Sequence, residues 1–269
     1  MEKLIITVAP TGSVPTKKEN PNLPVTPEEV IEDAVRCFGS GASVIHLHAR
    51  DSEQRPVHDQ AFFRQTMEGI REKTNLILQV STGGRANPSW ESRSAALELR
   101  PEMASLTTGS VNFPDRSYVN EPAFIEYLAR KMQDCGIKPE MEIFDLSMVS
   151  NAVDLVRKGL AEEPLHFNFV LGLPGALPFN PANLVYLVQN LPPGATWTVS
   201  GIGRAQLPAA ILAIIMGGHV RVGLEDNIYY QKGLLATNVA LVDRVVRLAR
   251  ELGREIASPD EARRILHLK

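Results

Sequence analysis

Cysteine is scarce in this sequence: 269 residues carry two, Cys37 and Cys135, far apart and outside any CxxC spacing. That excludes a disulfide framework and a zinc knuckle, and it fits a reducing, cytoplasmic compartment. Aromatic residues are few, at 6%. Neither sign of charge is in excess, since 28 Lys plus Arg stand against 31 Asp plus Glu for a formal net charge of -3. A general nucleic-acid partner is thereby not expected. Long hydrophobic runs are missing too; the best candidate, residues 207–216, falls well short of the roughly 20 residues that span a bilayer. Met1 and Glu2 lead directly into a β-rich stretch with no apolar leader, so we expect neither export nor a membrane partner. No internal repeat, low-complexity stretch or charge block divides the chain, and residues 1–269 read as a single domain.

What is present is an ordinary globular composition, 44% hydrophobic and 22% charged, with a mean hydropathy of -0.08. Eight short β-rich runs, at 4–9, 43–49, 76–81, 103–107, 139–144, 166–171, 196–200 and 219–224, alternate with stretches of helical periodicity. This is the pattern of βα units around a parallel sheet. The first helix is well marked: Thr26 as N-cap, Pro27 at the first helical position, Glu29 as the capping-box acid, and Gly39 and Gly41 to stop it. Residues 121–134, 181–190, 206–216 and 234–252 read as further helices, and 258–266 as an added C-terminal helix. Eight units match the size, about 250 residues, of a (β/α)8 TIM barrel; a doubly wound open sheet is the alternative.

Strand side chains alternate with period two, so the more apolar parity should face the helices and the other the barrel axis. With Ile45 and Leu47 outward, His46, His48 and Arg50 turn inward together. The same rule sends Gln79 and Ser81, Ser105 and Thr107, Glu140 and Glu142, His166 and Asn168, Thr198 and Ser200, and finally His219, Arg221 and Glu225 to the axis. Such barrels are normally filled with branched apolar side chains, and buried polar groups are costly unless paired. An interior this polar points to a metal and a charged ligand. Enzyme sites in this fold gather at the C-terminal strand ends, where His48, Ser81, Thr107, Glu142 and Glu225 belong.

His-x-His places two imidazoles on one strand face about 7 Å apart along the chain; two satisfied interior histidines are the competing reading. The second and eighth strands lie about 10 Å apart across the first, within reach of a Glu side chain. His46, His48 and Glu225 then form a His2Glu set, the donor count of catalytic zinc. Asp226 should leave the strand end in another direction and is a candidate base. Arg221 and Glu142 are expected to oppose each other, either as a structural ion pair or as a pair that orients Asp226. His166 and His219 read as lower-barrel residues, and His58 and His267 as surface ones. Ser81-Thr82-Gly83-Gly84-Arg85 suits either a carboxylate-binding nest or a plain turn. Ser200-Gly201-Ile202-Gly203-Arg204 opens onto a helix where barrels often hold phosphate, so Gly201, Gly203 and Arg204 are candidates for the pyrophosphate of a large cofactor.

Several segments together carry a resemblance: Ala9-Pro10-Thr11-Gly12, TKKENP at 16–21, VIHLHARD at 44–51, QVSTGG at 79–84, SLTTGSVN at 105–112, MEIFD at 141–145 and VRVGLEDN at 220–227. Over essentially the whole chain the sequence resembles the β-keto acid cleavage enzyme family. The resemblance implies an acyltransferase that converts a β-keto acid and acetyl-CoA into acetoacetate and a new acyl-CoA. It implies one Zn2+ per subunit on His46, His48 and Glu225, Asp226 as base with Arg221 assisting, and a homotetramer. Ser81 and Thr107 match positions holding the keto-acid end, and Glu142 is carried over more loosely as the partner of Arg221; Gly84, from the nest at 81–85, is expected to bind substrate with them. One departure is Val14, which stands where the aminohexanoate-cleaving members carry an acid to pair the substrate ammonium; a β-keto acid without that cation is therefore expected.

Three other readings use the same residues. A barrel hydrolase of the amidohydrolase type would carry HxH on the first strand and a metal histidine on the fifth, which has none here. A metal-dependent aldolase or lyase would cleave the keto acid without CoA. A non-catalytic sensor would hold only a structural metal.

Overall fold

The computed structural model describes residues 2–84 and 88–268. Eight parallel strands close into a barrel in chain order: β1 (Ile6–Val8), β2 (Val44–Leu47), β3 (Ile77–Val80), β4 (Met103–Thr107), β5 (Lys138–Ile143), β6 (His166–Leu171), β7 (Thr196–Gly201) and β8 (His219–Val222). Closure is made by β8 against β1, with Ile6 beside Val220, Thr7 beside Arg221 and Val8 beside Val222. The expected (β/α)8 architecture is therefore the observed one.

The helices are α1 (Pro27–Ser40), α2 (Gln60–Lys73), α3 (Trp90–Ser94), α4 (Pro122–Cys135), α5 (Ser147–Arg157), α6 (Pro181–Gln189), α7 (Gln206–Met216), α8 (Asn238–Glu251) and α9 (Pro259–Ile265). Thr26 and Glu29 form the expected capping box at the start of α1. Gly39, expected as a stop, lies inside the helix; Gly41, at φ 115°, is the residue that ends it, because only there does the chain enter the left-handed region. The helix expected from residue 234 starts four residues later, at Asn238. Leu234–Leu235 instead pairs antiparallel with Tyr229–Gln231, the chain reversing at Gly233 with φ +79°. Two further small hairpins, Ala49–Arg50 with Pro56–Val57 and Val111–Phe113 with Arg116–Tyr118, also follow barrel strands.

The parity rule locates the core. Ile45, Leu47, Leu78, Val80, Leu106, Met141, Ile143, Phe167, Phe169, Val199 and Val220 are all buried between the strands and the helical ring. The floor of the barrel is a separate apolar layer of Ile5, Val44, Ile77 and Met103, packed against Ala257, Ala262 and Leu266 from the C-terminal segment. α9 thus plugs the bottom, with Ser258 and Glu261 forming its capping box. Above the floor the polar side chains satisfy one another. Glu140 lies 3.4 Å from His166 Nε2 and accepts from Asn168 Nδ2 at 3.2 Å, while Ser200 Oγ donates to Asn168 Oδ1 at 2.7 Å. His219 Nδ1 accepts from the Ile5 amide at 3.1 Å. These partners are what make a polar barrel interior tolerable. Arg50 departs from the inward expectation because the chain leaves the barrel after Leu47. Its guanidinium donates to the carbonyls of Gly12, Pro15 and Gln54, tying down the loop after β1.

Candidate active site

A cavity of about 1010 Å³ opens at the C-terminal end of the barrel, with His48, Ser81, Gly83, Gly84, Glu142, Arg221, Glu225 and Asp226 in its lining. Its outer wall is largely apolar and comes from the hairpins and the loop after β1, including Val14, Pro56, Val57, Phe113, Tyr118 and Tyr229.

At its base, His46 Nε2 and His48 Nε2 face each other at 3.2 Å. Glu225 Oε1 lies 3.4 Å from His48 Nε2 and 4.0 Å from His46 Nε2. One donor atom from each of the three residues falls within 4.8 Å of the others. The amide oxygen of Gln79 sits 2.6 Å from His46 Nδ1 and can only accept, so the proton is on Nδ1 and the Nε2 lone pair faces the cluster. Burial, reinforced by the Arg221 cation, pushes His46 down to about 4, so it is neutral near pH 7 as a metal ligand must be. Burial alone would raise Glu225, but Arg221, His48 and His46 hold its carboxyl well below the ordinary carboxylate range.

Glu225 reaches this position because β8 ends in a tight turn. At Gly223, φ is +152° and a Cβ would meet the Ala9 carbonyl oxygen at 2.0 Å, so no side chain fits. The Glu225 amide then donates to Ala9 O, and the Asp226 amide to Gly223 O. The same turn folds Asp226 back into the cavity rather than away from it. Arg221 grips its carboxylate with two bonds, Nε to Oδ2 at 2.9 Å and Nη2 to Oδ1 at 3.0 Å, and Nη2 also donates to Glu225 Oε1 at 2.5 Å. Burial raises Asp226 to about 6 despite the guanidinium, with the Glu225 charge adding to the rise. Glu142 stands 3.9 Å from Arg221 Nη1, beyond hydrogen-bond range. It accepts instead from Thr107 Oγ1 at 2.7 Å. Burial raises it to about 7, against the Arg221 charge.

Four buried side-chain polar atoms lack a partner among the described residues, and three of them, Gln79 Nε2, Arg221 Nη1 and Glu225 Oε2, belong to this cluster. Unsatisfied buried groups are costly, so the cluster is shaped for something more than its own side chains. The two-imidazole, one-carboxylate donor set and the open Glu225 oxygen fit a zinc-class divalent cation.

The other candidates are placed as follows. Ser81 Oγ accepts from the Gly83 amide at 3.0 Å. Gly84 leaves room for the buried Arg93 side chain, which a Cβ would approach to 2.5 Å. Arg85 lies outside the described residues. Gly201 is pressed against the Ala205 carbonyl, and the Gly203 amide donates to Asp226 O at 2.8 Å, so these two glycines shape the turn beside Asp226. Arg204 is exposed. His166 and His219 sit low in the barrel, and His267 is exposed, as expected. His58 is not a surface residue: the hairpin before it folds its half-buried ring into the cavity wall. Burial there lowers it to about 4, with His48 and Arg93 adding to the effect. Gln79 and Gly223 are the contributors that sequence reasoning left without a role at the cluster. Gln79's inward parity was the available signal.

Residues 3–268 match the family described as beta-keto acid cleavage enzyme. The chain is 48% identical over 272 residues, covering 100% of this chain and 99% of the relative, to the 3-keto-5-aminohexanoate cleavage enzyme of Fusobacterium nucleatum subsp. nucleatum. It is 45% identical over 269 residues, covering 98% and 94%, to the 3-oxoadipate:acetyl-CoA acetyltransferase of Cupriavidus necator. Among solved structures, the binary complex of ObcA with oxaloacetate superposes with a TM-score of 0.81 at 22% identity, covering 92% of this chain and 68% of that one. That last likeness speaks to the fold.

Proposed function

The chain belongs to the beta-keto acid cleavage enzyme family, and from that premise we propose that it condenses a β-keto acid with acetyl-CoA to yield acetoacetate and a new acyl-CoA. The observation carrying this reading is the His46–His48–Glu225 triangle, with its open valences, beside the Arg221–Asp226 pair at the base of the cavity. Zn2+ held by His46, His48 and Glu225 would supply Lewis acidity toward the keto and carboxylate oxygens.

Asp226, fixed by Arg221 through two bonds, takes the proton from C2 of the keto acid. The C2 carbanion forms a bond to the thioester carbonyl carbon of acetyl-CoA, and the CoA thiolate leaves. That thiolate adds to C3 of the former keto acid, the C2–C3 bond breaks, and its electron pair is protonated at C2 to give acetoacetate. Ser81, Thr107 and Gly84 line or brace the keto-acid end, Thr107 doing so through Glu142. The exposed Arg204, next to Gly203 at the cavity, meets the CoA phosphates. Val14 gives an ammonium group no partner, so the substrate lacks a cation at that point. The subunits assemble as a homotetramer. In support, α7 contains no charged residue, yet Leu207 and Ile215 on it are exposed.

The test is turnover of a β-keto acid panel with acetyl-CoA. Acetoacetate and acyl-CoA should appear together, with no cleavage when acetyl-CoA is withheld. His46→Ala and Glu225→Ala should both lose bound zinc and activity. Undiminished acetoacetate production by either variant sinks the zinc role, and an aminated substrate turning over as well as its neutral analogue sinks the Val14 argument.

A further inference from the structure

Glu225 stands in a slot between two stretches of main chain that are not strand: residues 9–12 after β1, and the turn at 223–226 after β8. Gly12 forms one wall, at φ +64°, where a Cβ would lie 2.4 Å from Glu225 Cγ. Leu224 belongs to the other. The two walls are tied together by one side chain from a different element, Asn238, the first residue of α8. Its Oδ1 accepts from the Leu224 amide at 2.8 Å. Its Nδ2 donates to the Pro10 carbonyl at 3.2 Å and to Asp33 Oδ2, on α1, at 2.6 Å.

Asn238 is 1% exposed and Asp33 5%, so no solvent replaces these bonds if they are lost. Every requirement of the site is met by a carboxamide: one acceptor for Leu224 and two N–H donors for Pro10 and Asp33. An aspartate there would keep the acceptor but set a second carboxylate against Asp33. Alanine would leave the Leu224 amide and the Pro10 carbonyl buried without this partner.

We infer that Asn238 is a positioning residue for Glu225, holding both walls of its slot so that the carboxylate meets His46 and His48 at ligating distance. This rests on the metal reading above. Outer partners that orient ligands typically carry about 10–100-fold in metal affinity when removed.

The experiment is zinc affinity by competition with a chromophoric chelator, on the full chain, for wild type, Asn238→Ala and Asn238→Asp. Far-UV circular dichroism and the thermal midpoint of the metal-free proteins are read alongside. The expected result is a loss of affinity of about 10–100-fold in Asn238→Ala, with a smaller loss in Asn238→Asp, which retains the Leu224 acceptor. Should the alanine variant not fold, the aspartate variant alone must still show weakened binding. The inference is overturned if the folded variants hold zinc as tightly as wild type, even when their metal-free midpoints fall, because that is the behaviour of a purely structural side chain. A wild-type chain that takes up no zinc removes the metal reading itself, a result distinct from equal affinities across the three proteins.

Discussion

Arg221 is surrounded by three carboxylates and bonds only two of them. Two bonds to Asp226 and one to Glu225 leave Nη1 facing Glu142 across 3.9 Å. Asp226, raised by burial to about 6, is ionised and able to act as a base at neutral pH and becomes protonated below that point. kcat/KM should therefore fall on the acid side with an apparent pKa no higher than about 6, since a dication next to the carboxylate moves it down further. A pH–rate profile of wild type against Asp226→Asn checks this. The variant should lose about 10²–10⁴-fold in rate, together with that acid limb. Arg204 is predicted differently: Arg204→Ala should raise KM for acetyl-CoA while leaving KM for the keto acid unchanged, measured by varying each substrate in turn.

Among the elements, α9 is short and nearly detachable in sequence, yet it closes the barrel floor. Leu266, which follows it, is 2% exposed among Ile5, Val44, Ile77 and Met103. Leu266→Ala should cost about 2–5 kcal/mol in a denaturant titration, with zinc affinity unchanged because the floor lies at the opposite end from the ligands. The barrel strands are legible in the sequence as short β-rich runs, and although apolar pairs such as Ile77-Leu78 blur the alternation at the floor, the polar parity of β2 and β5 and of the residues at the end of β8 marks the cluster. The hairpins were not. Leu234 and Leu235 look like the start of an amphipathic helix, and only the reversal at Gly233 makes them a strand. The hairpin at 49–57 likewise captured Arg50 for carbonyls and brought His58 inward, contacts set by tertiary folding rather than by period. Glu142 was legible as inward but not as a partner of Thr107, which depends on the shear between β4 and β5.

For the whole molecule, the surface is uneven. The helical ring is charged on its outer side along α1, α2 and α8, whereas α7 presents Leu207 and Ile215, 38% and 53% exposed, with no charge between them. If the proposed tetramer forms through α7, wild type should scatter light as a species near four times the 29.6 kDa chain, and Ile215→Glu should leave the circular dichroism spectrum intact while lowering that mass. A mass that does not change would remove α7 from the subunit contact.

The apolar floor also makes the barrel a dead end. On the proposed reaction both reactants and both products would use the cavity at the C-terminal end of the barrel, so whichever molecule settles deepest must arrive first and depart last. Three carboxylates from two strand ends, Glu142 of β5 and Glu225 and Asp226 after β8, lie with the two imidazoles at the bottom of that cavity, so on the proposed reaction the keto acid goes in ahead of the bulky thioester. Acyl-CoA would then be the first to come out, with acetoacetate behind it. Initial-rate kinetics should show a compulsory order, with acetoacetate competing against the keto acid.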